Sequence, residues 1–326
     1  MITNQTTDRM LRSFNDTLAI LFAHQVGFFK LLSEKKSISE AELAISLNLP
    51  ARSVSALTSL FASQTPPLVE KTSDGNVQFA PEGDAYLNPK SSHFMGGFID
   101  FIIKNKEAFS PDAFATQMQV DEPHRSMFDE DKAFNQQMIA AMNAKSIGPA
   151  SVWAECIDLS KHQHFLDIGG GSGIFSTNVV KKWSHLQATV FELPFITEIT
   201  LQYIADMPIS VIGGSFREDK YPQADIHFYS DIFHDYNDAD CAILAQKSFN
   251  ALPQGGRIIL HELPFNQDKT APYTTALYNL SVIRWTHGRQ YSSDEFFQFL
   301  GNAGFEQLEI IPTNYLDWAL ITGVKA

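Results

Sequence analysis

The chain has 326 residues, a formal net charge of −13 at pH 7 and two cysteines. This length favours two domains over one, the acidic charge argues against nucleic acid as the main partner, and two scattered thiols exclude a disulfide framework or a zinc site. The start of the chain lacks the build of a signal peptide and no run of about 18 apolar residues occurs, so we expect a cytoplasmic protein without a membrane span.

The first hundred residues contain the pattern of a small helical domain. Apolar residues at helical spacing predict three helices, over residues 11–32, 40–47 and 51–61. Ser37 and Glu40 form a capping-box pattern before the second helix. Two short β runs separated by Asp74 and Gly75 predict a hairpin. Three helices and a hairpin predict a winged helix, which we assign to residues 1–100.

The rest of the chain changes from helical to alternating structure. Residues 101–155 are mostly helical and are predicted to link the two domains and to contribute to a substrate pocket. Residues 156–326 form the second predicted domain. Its predicted strands cover residues 164–168, 187–192, 209–213, 225–231, 257–262, 306–312 and 318–324.

This alternation predicts an α/β fold with a parallel sheet covered on both faces by helices. The last two strands follow each other without a long helix, which predicts a seven-stranded sheet with a reversed last strand. In such sheets ligands bind at the carboxyl ends of the strands, so we expect the site there.

A glycine loop follows the first strand of this domain. Gly169, Gly171 and Gly173 alternate with other residues, and Asp167 lies two residues before the first glycine. Glycine allows a sharp turn and a close approach of a ligand to the backbone, and the helix that follows presents free N–H groups. A dinucleotide fingerprint needs a small residue where Ile174 stands, so the pattern favours a nucleoside over a pyrophosphate.

A second acidic residue supports this interpretation. Glu192 ends the second strand, 19 residues after Gly173. In doubly wound folds a carboxylate about 20 residues beyond the loop binds the ribose hydroxyls. We therefore predict a nucleoside-containing cofactor.

Polar residues that could do chemistry follow the fourth and fifth strands. His234 and Asp235 come after the fourth strand, and Glu262 ends the fifth. A histidine can accept a proton from a substrate hydroxyl near neutral pH. Neighbouring strands lie about 4.8 Å apart, so Glu262 could fix the tautomer of that histidine and stabilise its cation.

Four aspartates surround the histidine in sequence, at positions 231, 235, 238 and 240. A Mg²⁺ site built from these carboxylates is one interpretation. We favour an acidic helix N-terminus with Asp238 as the cap, and predict no metal.

At this point the chain resembles the bacterial and plant-type S-adenosylmethionine-dependent O-methyltransferases, which include caffeate-type and hydroxyindole-type enzymes. The resemblance covers nearly the whole chain and rests on residues 165–173, 191–194, 213–216 and 232–238, on 134–138, and on 25–32, 41–47 and 79–83. It implies a Rossmann-like seven-stranded class I methyltransferase domain behind an amino-terminal winged-helix domain. In that family the winged helix forms a homodimer and does not bind DNA.

The resemblance also implies the reaction and the site residues. It implies methyl transfer from S-adenosyl-L-methionine to a hydroxyl of a small aromatic or polycyclic molecule, with S-adenosyl-L-homocysteine as product and without a metal. The implied catalytic residues are His234 as general base with Glu262 and Gln290 beside it. The predicted cofactor residues are Asp167, Gly169, Gly171, Gly173, Glu192, Leu193, Ser215, Phe216 and Ser230. The predicted substrate residues are Asn135, Met138, Met142, Asp235 and Trp285.

Three positions depart from the family pattern. Ser215 stands where the family usually has Asp, Ser230 where it often has Lys, and Gln290 where it usually has Glu. Gln290 can orient an imidazole by a hydrogen bond but cannot stabilise its cation by charge. Glu262 would then carry that role alone.

Other functions stay open at this point. An enzyme of the same fold could bind the cofactor without transferring methyl, or could methylate nitrogen or carbon. A Mg²⁺-dependent catechol methyltransferase is a further alternative, but such enzymes usually lack a winged helix. A DNA-binding regulator is disfavoured because residues 51–60 carry one Arg and no Lys, whereas DNA backbone contacts need several cations.

Overall fold

The computed structural model describes residues 5–119, 131–283 and 285–326. The chain divides into two compact units, Met1–Lys104 and Asn105–Ala326. Part of the predicted link over 101–155 lies outside the described residues, at 120–130. The three-part division therefore stays a prediction. No helix among the described residues is long and apolar enough to cross a membrane.

The first unit combines helices with a small antiparallel sheet. Its helices are α1 (Gln5–Gln25), α2 (Phe28–Lys35), α3 (Glu40–Leu47), α4 (Ala51–Ser63), α5 (Pro81–Leu87) and α6 (Gly96–Lys104). Its strands are β1 (Ser37–Ser39), β2 (Val69–Lys71) and β3 (Asn76–Phe79), in the order β1-β3-β2. Phe28, Phe29 and Phe61 are buried together in its core.

Two details of the first unit differ from the sequence predictions. The predicted helix over 11–32 is broken at Gly27, whose φ of 83° is left-handed. The predicted cap at Ser37 is wrong, because Ser37 pairs with Gln78 in the sheet. The capping box forms two residues later, from Ser39 and Glu42.

The second unit alternates strands and helices. Its helices are α7 (Pro111–Gln117), α8 (Lys132–Val152), α9 (Ile174–Lys182), α10 (Thr197–Ile204), α11 (Asp238–Ala251), α12 (Tyr273–Val282) and α13 (Ser293–Ala303). Its strands are β4 (His164–Ile168), β5 (Gln187–Glu192), β6 (Ile209–Gly213), β7 (Ile226–Ser230), β8 (Arg257–Glu262), β9 (Glu306–Pro312) and β10 (Ala319–Val324).

These strands form one sheet in the order β6-β5-β4-β7-β8-β10-β9. The first five are parallel, and β10 runs antiparallel between β8 and β9. The predicted α/β fold with seven strands and a reversed last strand is confirmed. The chain proceeds from β4 outward to β6 and then returns to β7 on the other side of β4. This reversal brings the loops after β4 and β7 together at the carboxyl edge, where such sheets bind ligands.

Candidate active site

The glycine loop begins directly after β4. Gly169, Gly171 and Gly173 have φ values of 69°, 54° and 75°, so every second residue of the loop has a left-handed backbone conformation. A Cβ at Gly169 would lie 2.6 Å from Cδ1 of Ile232, so the Ile232 side chain would have to shift. Gly173 is the N-cap of α9. The left-handed backbone conformation of the loop therefore favours glycine at these three positions.

Glu192 lies against this loop from the end of β5. Its carboxylate is buried, and it accepts hydrogen bonds from the backbone N–H of Gly171 at 2.9 Å and from that of Leu193 at 2.7 Å. Each carboxylate oxygen can accept more than one hydrogen bond. Glu192 thus keeps acceptor capacity for two further donors, such as a pair of ribose hydroxyls.

Asp167 is the other buried carboxylate of this region. Its Oδ2 accepts a hydrogen bond from Ser176 at 2.7 Å, whereas its Oδ1 has no hydrogen-bond partner among the described residues. Burial raises the pKa of Asp167 to about 7. A buried acceptor without a partner is costly, so a cationic group bound at the loop would stabilise this carboxylate.

A cavity of about 550 Å³ in the second unit connects these groups. The predicted cofactor residues that line it are Asp167, Gly169, Gly171, Glu192, Leu193, Phe216 and Ser230. The predicted substrate residues that line it are Met142, Asp235 and Trp285. One cavity therefore contains groups suited to a nucleoside and, beside them, groups predicted to meet an acceptor.

Other predicted binding residues lie away from the cavity lining. Ser215 closes a turn: its N–H donates to Asp219 and its hydroxyl accepts from the N–H of Glu218. Asn135 and Met138 are buried on α8. Their contacts with ligands remain predictions.

His234 lies in a short 3₁₀ turn after β7 and is buried. Its Nδ1 is 2.7 Å from Oε2 of Glu262, and its Nε2 is 3.3 Å from Oδ1 of Asp235. Glu262 also accepts a hydrogen bond from the backbone N–H of Phe233 at 3.0 Å. One carboxylate from β8 therefore fixes both the turn and the ring. His234 and Glu262 lie outside the cavity lining, whereas Asp235 belongs to it.

The two carboxylates control the charge of this imidazole. Burial lowers the pKa of His234, but Glu262 and Asp235 more than offset that effect and raise the pKa well above its usual value. This arrangement therefore favours the protonated form of the ring. It becomes a base only when its proton is lost and Nε2 is free of Asp235.

Gln290 is also buried, and its backbone N–H donates to Asn279 at 2.8 Å. Within the part of the chain that the structure describes, neither polar atom of its side-chain amide has a hydrogen-bond partner. The structure does not bring the amide into a hydrogen bond with His234. Its predicted role beside the histidine stays a prediction.

Two of the four aspartates near the histidine pair with arginines, whereas Asp231 and Asp235 both approach the His234 ring. Asp238 pairs with Arg289, and Asp240 pairs with Arg217. The cap of α11 is the Asn237 side chain, which accepts the N–H of Asp240 at 3.0 Å, so the prediction of Asp238 as cap is wrong. The acceptor is the amide oxygen Oδ1 of Asn237, three residues before Asp240.

The sequence analysis did not identify Lys145 and Tyr278 as functional groups. Nζ of Lys145 lies 2.8 Å from Oδ2 of Asp231 and also donates to the hydroxyl of Tyr278. The Tyr278 ring meets the His234 ring edge-on, with centroids 5.4 Å apart. Lys145 and Tyr278 are 133 residues apart in sequence, and no local pattern signals their contact.

Comparison with known proteins gives the family. The model of the O-methyltransferase domain matches residues 111–306, which is more than half of the chain. The chain is 28% identical to acetylserotonin O-methyltransferase of Gallus gallus over 179 residues, which cover 52% of each protein. It therefore spans about half the length of that relative. It is 26% identical to 3-hydroxy-5-methyl-1-naphthoate 3-O-methyltransferase of Streptomyces sahachiroi over 251 residues, covering 73% of this chain and 72% of the relative.

A solved structure shows the same fold along the chain. The crystal structure of human N-acetylserotonin methyltransferase in complex with SAM superimposes with a TM-score of 0.87 at 19% identity, covering 99% of this chain and 97% of the human one. The domain match, the seven-stranded sheet and the glycine loop agree with one another. The chain belongs to the S-adenosylmethionine-dependent O-methyltransferase family.

Proposed function

We propose that this protein transfers the methyl group of S-adenosylmethionine to a hydroxyl group of a small aromatic or polycyclic molecule. The observation that carries the proposal is one cavity lined both by the glycine loop with Glu192 and by Asp235, which contacts the His234 ring. Two relatives support the acceptor class, since their names specify O-methylation of acetylserotonin and of a hydroxynaphthoate.

The residues of the cavity fit this cofactor. Glu192 has spare acceptor capacity for ribose hydroxyls, and the unpartnered Oδ1 of Asp167 suits the ammonium of a methionyl group. Phe216 offers an apolar surface for a purine, and Gly170 keeps the loop close because a Cβ there would lie 2.6 Å from Cγ of Asp167. The cofactor supplies an electrophilic methyl group on a sulfonium.

The chain's own residues then have two tasks. The cavity walls would orient the acceptor hydroxyl toward the bound cofactor, and such positioning can lower a barrier by about 7–11 kcal/mol. His234 takes the hydroxyl proton on Nε2 while Glu262 holds the proton on Nδ1. This arrangement keeps one tautomer and stabilises the imidazolium that forms.

Formation of S-adenosylhomocysteine tests the proposal directly. We expect purified protein, incubated with S-adenosylmethionine and a panel of hydroxylated aromatic compounds, to release S-adenosylhomocysteine together with an acceptor heavier by one methyl group. Mass spectrometry of both products measures this. Turnover of an acceptor without S-adenosylhomocysteine would select the non-methylating alternative, and loss of activity with a chelator would select the Mg²⁺-dependent one.

We further propose that the protein is a homodimer joined through its amino-terminal unit. Phe14, Leu18 and Phe22 are exposed at a spacing of four residues, so they share one face of α1. Large apolar residues grouped on one exposed face mark interaction sites.

Removal of this apolar face should separate the subunits. We expect Phe14→Asp combined with Phe22→Asp to give a monomer in sedimentation velocity, whereas the unchanged chain sediments as a dimer. Ile45→Asp is the matched control, because Ile45 is 81% exposed on α3 of the same unit. A double variant that sediments like the unchanged chain would contradict the proposed interface.

A further inference from the structure

A buried ion pair lies next to the His234 site and is not explained by the proposed reaction. Nζ of Lys145, from α8, is 2.8 Å from Oδ2 of Asp231, and only about one sixth of either side chain is exposed. Lys145 also donates to the Tyr278 hydroxyl and lies 4.4 Å from the centre of that ring. A buried ion pair is costly to form, because both charged groups lose their hydration.

Asp231 is placed in an unusual conformation. Its φ is 57°, in the left-handed region that is uncommon for a residue other than glycine. Its backbone N–H donates to the carbonyl of His261 at 3.2 Å. Its Oδ1 lies 3.8 Å from Nδ1 of His234, and this oxygen has no hydrogen-bond partner among the described residues. Strained residues that persist cluster at functional sites.

The imidazole of His234 is therefore approached by three carboxylates. Glu262 lies at 2.7 Å and Asp231 at 3.8 Å from Nδ1, and Asp235 at 3.3 Å from Nε2. Three negative charges strongly favour the protonated ring. A histidine held in its protonated form cannot take the acceptor's proton.

Lys145 opposes this effect. The charged or titratable groups that the structure places around His234 and its carboxylates are Glu262 from β8, Asp231 and Asp235 from the loop after β7, Tyr278 from α12, Lys145 from α8 and His261 from β8. Burial lowers the pKa of His261 to about 3, so that ring is neutral. Burial raises the pKa of Tyr278 well above its usual value, so its hydroxyl is neutral too. Among the described residues of this group, Lys145 is the cation, besides the protonated His234 ring itself, that offsets Asp231.

We infer that Lys145 is a positioning residue that acts on His234 through Asp231, cancelling the charge of the third carboxylate so that the imidazole can release its proton during turnover. This inference rests on the proposed function for its kinetic readout. It concerns the charge around the base and not a contact of Lys145 with the acceptor, because Lys145 is outside the cavity lining.

Two single variants should shift the pH profile in opposite directions. In Lys145→Met the charge of Asp231 acts on His234 without compensation, so the acidic limb of the kcat profile should move to higher pH by about one unit or more. In Asp231→Asn the cation is left without its partner, so the limb should move to lower pH. The double variant Lys145→Met/Asp231→Asn removes both charges and should return the limb close to its original position.

Controls separate charge from packing. Lys145→Arg keeps the charge and should keep the limb near its original pH. Lys132→Met removes another ion-paired lysine of α8, but its pair with Glu198 is exposed, so the limb should not move. A merely structural role would lower activity in both single variants without opposite shifts, and that outcome would overturn the inference.

A second measurement does not depend on methyl transfer. The titration of the His234 ring, followed by NMR of labelled imidazole nitrogens, should show the same opposite shifts in the protein without acceptor. If no acceptor is methylated but the ring titrates as expected, the proposed function fails and the role of Lys145 holds. If the ring pKa is equal in all three variants and the unchanged chain, the role of Lys145 is refuted whatever the reaction is.

Discussion

Replacing His234 with Asn is expected to lower kcat by roughly 10²–10⁴-fold, the range that general-base catalysis contributes. The affinity for S-adenosylmethionine should stay nearly unchanged, because the ring contacts Glu262 and Asp235, neither of which is a predicted cofactor residue. Steady-state kinetics gives the first quantity, and calorimetric titration of the cofactor gives the second.

The single variant His234→Asn could fail to fold, so a second variant is needed. Without the imidazole, Glu262 would remain buried and unpaired, which costs roughly 3–5 kcal/mol. His234→Asn combined with Glu262→Gln keeps the hydrogen bond without the charge, so this double variant should fold and still lack turnover. His185→Asn is the matched control, since His185 is exposed and lies outside the cavity lining. Turnover in the His234 variants equal to that of the unchanged chain would show that His234 is not the general base.

The second large effect is expected at Glu192. The backbone N–H groups of Gly171 and Leu193 each donate a hydrogen bond to one oxygen of the Glu192 carboxylate. In Glu192→Gln one of these oxygens becomes an NH₂ group, which cannot accept, so one of the two hydrogen bonds is lost. A lost hydrogen bond to a charged group is worth about 1.5–3 kcal/mol. We therefore expect the dissociation constant of S-adenosylmethionine to rise by about 10- to 100-fold.

The same calorimetric titration measures this change, and a thermal melt reports whether the variant is folded. Glu198→Gln is the control, because Glu198 lies on the neighbouring α10 and its pair with Lys132 is exposed. An unchanged dissociation constant in the Glu192 variant, with the fold intact, would exclude Glu192 from the nucleoside site.

The sequence predicted the features that depend on local pattern. The strands of the second unit follow from their apolar runs, and the glycine loop and Glu192 lie together because they end neighbouring parallel strands. Gln187–Glu192 and Arg257–Glu262 have the predicted bounds. These signals are local in sequence. The order of the strands in the sheet then brings the ends of neighbouring strands together.

The features that the sequence did not predict depend on competition between neighbouring residues for one role, or on contacts between residues far apart in sequence. Ser39 caps α3 in place of Ser37 because pairing with β3 holds Ser37 in a strand. Asn237 caps α11 in place of Asp238 because the helix begins one residue earlier than a cap at Asp238 requires, so that Asp238 is its first residue. The contact of Lys145 with Asp231 joins residues 86 apart, and a pair at that separation leaves no periodic signal.

The antiparallel strand β10 has a consequence for how the site is made. Ala319 of β10 is the register partner of Glu262, the carboxylate that holds His234. During synthesis this edge of β8 therefore has no neighbour until residues 319–324 emerge from the ribosome. An unpaired strand edge is a template for wrong association, so the strand that carries Glu262 is exposed to mispairing until β10 is made and pairs with it.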